Sequence, residues 1–287
     1  MGTGVAGGNG ELAEETQKEV FGWMIGSEWL FRKFCKDPRQ DTSYDEEGWT
    51  VDTALSFLEQ EVPNLRALIS GKVVLDFGCG YGYQVVAFVK QLDAAKAVGV
   101  DIVPRYVNRA REIAKEQGVL QQVEFYCSSL PEDYKGFFDV VVSLNSFEHY
   151  SDPRGVLYSM LDYLKPGGRV IITFGPLWYS PYGGHGMFMT NLPWYHLIFK
   201  EETIMKVRSD YRSDGARRFE EVEGGLNKMS VRKFEAILSE ALREADVIIE
   251  HLRYRTVKGL PVVARIPLVR ELLINHATCI LRKGSRG

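Results

Sequence analysis

Between Val73 and Gly82 the chain reads VVLDFGCGYG, an apolar run that ends in Asp76 and then sets Gly78, Gly80 and Gly82 at alternating positions. A loop leaving a strand and entering a helix offers free backbone N–H groups and the positive end of a helix dipole, which suit an anionic or polar ligand. Glycines there keep side chains out of the way and accept backbone angles that other residues resist. A second carboxylate, Asp101, closes the run AVGVD about twenty residues further on, where a strand–helix–strand unit brings the second strand tip beside the first. Such a carboxylate can accept hydrogen bonds from both hydroxyls of a ribose. Its structural alternative is to cap the helix that Pro104 opens.

The spacing separates two nucleoside cofactor classes. A dinucleotide fingerprint GxGxxG would need a third glycine at position 83, where this chain has Tyr83. A nicotinamide site is therefore disfavoured. The alternative is GxGxG with an acid two residues upstream, close to the positive amino acid end of the ligand, and S-adenosylmethionine has such an end. Cys79 sits at a helix start, where a thiolate is stabilised, but no base accompanies it in sequence and it reads as filler.

Five histidines could supply a base: His149, His185, His196, His251 and His276. Open α/β sheets bind ligands beyond the carboxyl ends of their strands, which selects His149, in SFEHY, and His185, in SPYGGHG. The glycines around His185 could bend its loop over a pocket, and His185 is the favoured base; for His149 a packing role competes with catalysis. His196 reads as packed in an aromatic cap helix. His251 and His276 fall on strand-like segments with no evident partner. Trp178, Tyr179 and Tyr182 belong to an uncharged aromatic stretch that could line an apolar acceptor pocket or simply pack a lid.

These residues need a parallel sheet to position them. Strands are expected at Val73–Phe77, Ala97–Asp101, Val123–Cys127, Phe138–Leu144 and Arg169–Phe174, with helices at Gln84–Gln91, Pro104–Gln117 and Pro153–Leu164 between them. A helix at Val231–Arg243, strands at Val247–Val257 and His276–Leu281, and an apolar helix or loop at Ile266–Ile274 complete the second half. Residues 1–18 read as a flexible lead-in and 19–70 as a helical cap, with aromatic spacing from Glu19 to Phe34 and an apolar stripe from Val51 to Glu61. Tyr44 and Trp49 could close over the cofactor from this cap. The remaining 71–287 form the main domain, with a lid insertion at about 175–229.

Composition narrows the partners. Of 287 residues, 45% are apolar, enough for a large core, and a net charge of −3 gives no global reason to expect nucleic acid. Four scattered cysteines without a CxxC pair suggest neither a metal site nor a disulfide framework. The start lacks the order of a signal peptide, so a cytoplasmic protein is expected. From Val170 to Phe199 there is no charged side chain other than histidine, a length that could cross a bilayer, but repeated prolines and glycines argue for a strand followed by an aromatic loop. The charged segment Arg208–Glu223 reads as a solvated face.

VVLDFGCGYG, VGVD, FDVVVSLNSFEH and LKPGGRVIIT, in that order, resemble the class I S-adenosylmethionine-dependent methyltransferases over roughly Lys72 to Phe174. The resemblance implies an α/β, Rossmann-like, seven-stranded and mostly parallel sheet with helices on both faces and its last strand antiparallel. It implies that Asp76, Gly78, Cys79, Gly80 and Gly82 hold the methionine portion of S-adenosylmethionine, Asp101 its ribose and Ile102 one adenine face. Ser128 and Ser129 would occupy the third-strand exit, and Asn145 would line the methionine end through its backbone. The aromatic tetrapeptide of nucleic-acid amino methyltransferases is replaced by LNSFEH. A small-molecule acceptor, methylated on O, N or C without a metal, a nucleic acid or a membrane, is the expectation. The rival is a non-catalytic cofactor-binding protein of the same fold.

Overall fold

The computed structural model describes residues 25–38, 50–257, 266 and 269–285. Residues 1–18, expected as a lead-in, and Phe21, Trp23, Tyr44 and Trp49 therefore lie outside the described residues. Seven strands form one sheet: β1 (Val73–Phe77), β2 (Lys96–Asp101), β3 (Val123–Cys127), β4 (Phe138–Leu144), β5 (Leu164–Phe174), β6 (Val247–Thr256) and β7 (Ile274–Lys283), in the order β3-β2-β1-β4-β5-β7-β6. The first five pair in parallel, and β7 runs antiparallel to both β5 and β6. The order reverses between β1 and β4, which places a crevice beyond the carboxyl end of β1.

The sequence chemistry behind the crossover helices is local. In order, α1 to α3 are Glu28–Arg32, Ser56–Glu61 and Leu65–Ile69, and α4 is Tyr83–Leu92. Helix α5 (Pro104–Glu116) starts on Pro104, whose missing N–H is harmless at a first turn, and buries Val107, Ala110, Ile113 and Ala114 along one stripe. Helix α6 (Pro153–Tyr163) is capped by Asp152, whose Oδ1 accepts the Gly155 N–H at 2.9 Å. It ends directly on β5, so the Lys165-Pro166-Gly167-Gly168 run lies inside the strand, opposite a register shift between Phe138 and Val140. Two short helices follow in the insertion, α7 (Tyr195–Ile198) and α8 (Glu201–Arg208). Helix α9 (Val231–Glu244) is capped by Ser230, and α10 is Val269–Leu273.

Three apolar clusters hold these layers. Leu55, Leu58 and Ile69 join α4 and α5 on one sheet face, while α6 and α9 cover the other through Leu157, Met160, Phe234 and Leu238. The third cluster lies in the insertion and contains Trp178, Tyr195, Phe199, Ile204 and Phe219 together with Phe31 of α1. The described part of the expected cap is thus divided: α1 packs on the insertion, and residues 51–69 pack on the sheet. The helix expected over Glu19–Phe34 is shorter among the described residues, because Ile25 pairs with Phe199 as an isolated β-bridge and helix begins only at Glu28. The uncharged stretch after Val170 completes β5 and then runs through turns to α7. Among the described residues no helix is long and apolar enough to cross a membrane.

Candidate active site

A cavity of 480 Å³ opens at the carboxyl ends of β1, β2 and β4, where the order of strands reverses. Its floor is the loop after β1. Gly78 and Cys79 both donate their N–H groups to Val100 O, at 2.8 and 3.0 Å, which folds the loop back over β2. Gly80 has φ +51° with nothing within 4 Å of where a Cβ would lie, so its backbone faces open space. Gly78 and Gly82 are glycines for packing reasons. A Cβ on Gly78 would sit 2.7 Å from Ser146 Oγ, and one on Gly82 2.6 Å from the Phe125 ring, both at positive φ. Gly82 opens α4 with no side-chain cap, leaving the first N–H groups of that helix uncapped beside Tyr83 and Gln84 on the cavity wall.

Asp101 grips this floor from the side. Its Oδ2 accepts the Gly80 N–H at 2.8 Å and its Oδ1 accepts the Val103 N–H at 2.9 Å. The helix-capping alternative is thus partly realised, yet each carboxylate oxygen retains a further lone pair, and Asp101 lines the cavity. Ile102 follows with 73% of its surface exposed, a flat apolar shelf beside Val103 and Tyr106. Ser128 and Asn145, at the exits of β3 and β4, hold φ of +69° and +49° and both line the cavity, whereas Ser129 is exposed and does not.

Asp76 lies under the floor and is only 2% exposed. Its Oδ1 has no hydrogen-bond partner among the described residues. Burial, and secondarily the charge of Asp101, raise its pKa to about 7. Cys79 packs its sulfur against Gly99, where a Cβ would come within 2.8 Å, and burial pushes its thiol well above the usual range. It is inert filler. Native protein should therefore leave Cys79 and Cys279 unmodified by a thiol reagent while exposed Cys127 reacts; labelling of Cys79 at the same rate, read by mass spectrometry, would refute that role.

The far wall is the turn after β4. Ser146, His149 and Tyr150 line the cavity. Tyr150 donates its O–H to Phe77 O at 2.7 Å, and Ser146 Oγ lies 3.1 Å from Gly78 O, so this turn is fastened to the glycine floor. His149 Nδ1 is 2.5 Å from Gly225 O. A carbonyl can only accept, so Nδ1 carries the proton and Nε2 carries the lone pair. Behind it, the ring of His185 stands at 5.3 Å, edge-on.

His185 does not line the cavity. Its Nε2 lies 3.3 Å from Pro176 O, and burial, with the charge of His149 second, pulls its pKa down to about 3. A base whose conjugate acid is that acidic is weak. The flanking glycines make room for a neighbour: a Cβ on Gly184 or Gly186 would clash with the hydroxyl of buried Tyr195. The three aromatic candidates also stand elsewhere. Trp178 is core, packed edge-on against His196 and Phe219; Tyr179 accepts the Trp194 indole N–H on its carbonyl, and Tyr182 accepts the His185 backbone N–H. None of them lines the cavity. His196 is buried with Nε2 2.5 Å from Trp178 O, and His276, expected without a partner, has Nε2 2.7 Å from Thr173 Oγ1 in the core.

Several wall residues carried no local signal. Glu223 and Gly224 come from the insertion and reach the cavity rim, where Glu223 pairs with Arg105 of α5. Asn227 fastens this strap to the β4 turn: its Nδ2 donates to Phe147 O at 2.9 Å and Tyr150 O at 2.8 Å, and its N–H to Glu148 O at 2.9 Å. Glu148 itself is buried, its Oε1 accepting the Gly175 N–H at 3.2 Å, and desolvation raises its pKa above the usual carboxylate value.

Residues 74–168 match a family described as a methyltransferase domain, and the match contains the whole floor and far wall of the cavity. Over these residues the chain is similar to methyltransferase domains. The chain is 33% identical over 122 residues to a ubiquinone biosynthesis O-methyltransferase of Idiomarina loihiensis, covering 42% of the chain and 47% of the relative. It is 43% identical over 76 residues to a ribosomal protein L11 methyltransferase of Shigella sonnei, covering 26% and 25%. The chain thus spans half or less of the length of these curated relatives. Among solved structures, a geranyl diphosphate methyltransferase in complex with GPP and sinefungin superposes at TM-score 0.52 and 15% identity, over 81% of this chain and 78% of that one. The (4+2)-cyclase SpnF superposes equally, at TM-score 0.52 and 17% identity over 82% and 81%. These two likenesses carry the fold alone.

S-adenosylmethionine is the cofactor of this family, and the residues present fit it. The open Gly80 backbone, the partnerless Asp76 Oδ1 and the exposed Ile102 shelf are respectively suited to a close main-chain approach, an ammonium and an aromatic base. Asp101→Ala is expected to weaken S-adenosylhomocysteine binding by roughly 1.5–3 kcal/mol, the loss of two charge-assisted hydrogen bonds. Calorimetry checks it; unchanged affinity would leave Asp101 a helix cap only.

Proposed function

We propose that the protein methylates a hydroxyl of a small-molecule acceptor, with His149 as the base and S-adenosylmethionine as the donor. The observation that carries this reading is the position of His149: on the wall opposite Asp101 and Ile102, with its Nε2 lone pair set by the Gly225 carbonyl. When bound, S-adenosylmethionine supplies a methyl group on a sulfonium, already a strong electrophile. What the chain must add is alignment and a dry pocket. Asp76, Gly78, Cys79, Gly80 and Gly82 shape the methionine end, Asp101 takes the ribose, and Ile102 with Ser128 borders the adenine. Ser129 would act only at the rim. Asn145 and Ser146 frame the opening through which the acceptor oxygen approaches. His149 Nε2 takes the acceptor proton as the new O–CH3 bond forms, while Tyr150 and Asn227 hold the turn that carries it. His185 stays neutral and backs the His149 ring.

Oxygen is favoured over nitrogen because a hydroxyl gains most from a base, and the ubiquinone-pathway relative is described as an O-methyltransferase. A small acceptor is favoured over a protein or nucleic acid because, among the described residues, no lysine or arginine lines the cavity. Incubating the protein with isotope-labelled S-adenosylmethionine and a cell extract, followed by mass spectrometry, tests the reading. A labelled small-molecule methyl ether is the expected product; label found only in protein would overturn the acceptor class. Cofactor binding without any labelled product would favour a non-catalytic role.

A further inference from the structure

A second cavity, of 410 Å³, lies in the insertion and uses none of the residues described above for transfer. It is formed by α8 and the loop that follows, and four cationic side chains line it: Lys206, Arg208, Arg212 and Arg217. Two of these charges are neutralised. Lys206 pairs with Glu28 at 2.6 Å, and Arg208 makes a bidentate pair with Asp214 at 2.5 and 2.6 Å. Asp214 is held below the usual carboxylate range first by that guanidinium, and its oxygens also accept the N–H groups of Ala216 and Glu223. It is a fixed structural strut.

Arg212 and Arg217 are different. Neither has a carboxylate within ion-pair distance among the described residues, although both line the same concave surface. The Arg212 guanidinium lies over the Phe188 ring at 4.6 Å, which orients its fork and leaves its edge N–H groups unused. Gly215, at φ +74° with nothing within 4 Å of a Cβ position, leaves the loop backbone open between them. The remaining acid, Glu202, is exposed and makes no ion pair with either arginine. Two unpaired planar forks facing one concavity are the geometry that recognises oxyanions bidentately.

We propose that this second cavity binds a small phosphorylated anion, held by Arg212 and Arg217 over the Asp214-braced loop. The cavity, of 410 Å³, has room for a diphosphate, and two guanidinium forks can meet two phosphoryl groups, so pyrophosphate should bind more tightly than orthophosphate. The site rests on charge and shape alone, independent of the reaction carried out in the first cavity.

Isothermal titration of the full chain with sodium pyrophosphate, and separately with orthophosphate, at matched ionic strength tests it. The expected result is saturable 1:1 pyrophosphate binding that weakens at least tenfold in the Arg212→Gln, Arg217→Gln double variant. Binding of S-adenosylhomocysteine by the same variant, unchanged within about twofold, reports that it is folded. Equal pyrophosphate affinity in wild type and variant, or no saturable binding by wild type, would overturn the proposal. Tighter orthophosphate than pyrophosphate binding would overturn the two-fork assignment.

Discussion

His149→Ala is expected to lower turnover by about 10²- to 10⁴-fold, the range of a lost general base, while S-adenosylhomocysteine affinity stays within about twofold. The separation follows from placement. His149 lines the cavity, but its turn is held by Tyr150 to Phe77 O and by Asn227 to Phe147 O and Tyr150 O, so removing the imidazole leaves the glycine floor fastened. His185→Ala should lower turnover less than tenfold, because that ring stands behind His149 and is not on the wall. Steady-state kinetics with the acceptor found by labelling checks both. If the His185 variant were the inactive one and the His149 variant normal, the base would have been assigned to the wrong ring.

Asp76→Asn should stabilise the ligand-free protein at pH 8 and weaken its grip on the cofactor. The buried carboxyl has its pKa raised from 3.8 to about 7, so folding favours its neutral form. Its favourable contribution is complete below the unfolded value near 3.8 and is lost as pH rises through 7. At pH 8 the wild type carries an uncompensated buried charge costing up to about 4 kcal/mol, at 1.36 kcal/mol per unit. An amide removes that penalty, which in a protein of this size means a rise in Tm of several degrees. The ligand reverses the preference, since an ammonium close to Asp76 favours the ionised acid. Wild-type affinity for S-adenosylhomocysteine should therefore fall about tenfold from pH 8 to pH 6 as the carboxylate is protonated, and the amide variant should bind weakly with little dependence on pH. Calorimetric melting and titration across that range measure both effects. A variant that melts lower than wild type at pH 8, or binds equally well, would contradict the role given to Asp76.

The floor of the site was legible because it is built from local chemistry. Alternating glycines after an apolar run, with Asp101 at the next strand tip, are contiguous features whose spacing follows from one strand–helix–strand unit. Strand ends at Phe77, Cys127 and Leu144 matched the expected ones for the same reason. The far wall was less legible. His149 could be placed at a strand exit, but its tautomer depends on Gly225, which arrives from the insertion 76 residues later. The glycines that flank His185 make room for Tyr195, a tertiary contact that sequence spacing does not encode. Trp178 and its neighbours were ambiguous for a related reason: an aromatic cluster that packs a lid and one that lines a pocket have the same composition. Glu223 reaches the rim across 118 residues from Arg105, and nothing local marks it.

The most direct measurement is calorimetric titration of the full chain with S-adenosylhomocysteine and, separately, with NADH. Saturable 1:1 binding of the sulfur nucleoside, weakened by Asp101→Ala, together with no heat from NADH, is the predicted result. Tight NADH binding with none of the sulfur nucleoside would show that the glycine floor serves a dinucleotide, and the assignment of the cavity would fall with it.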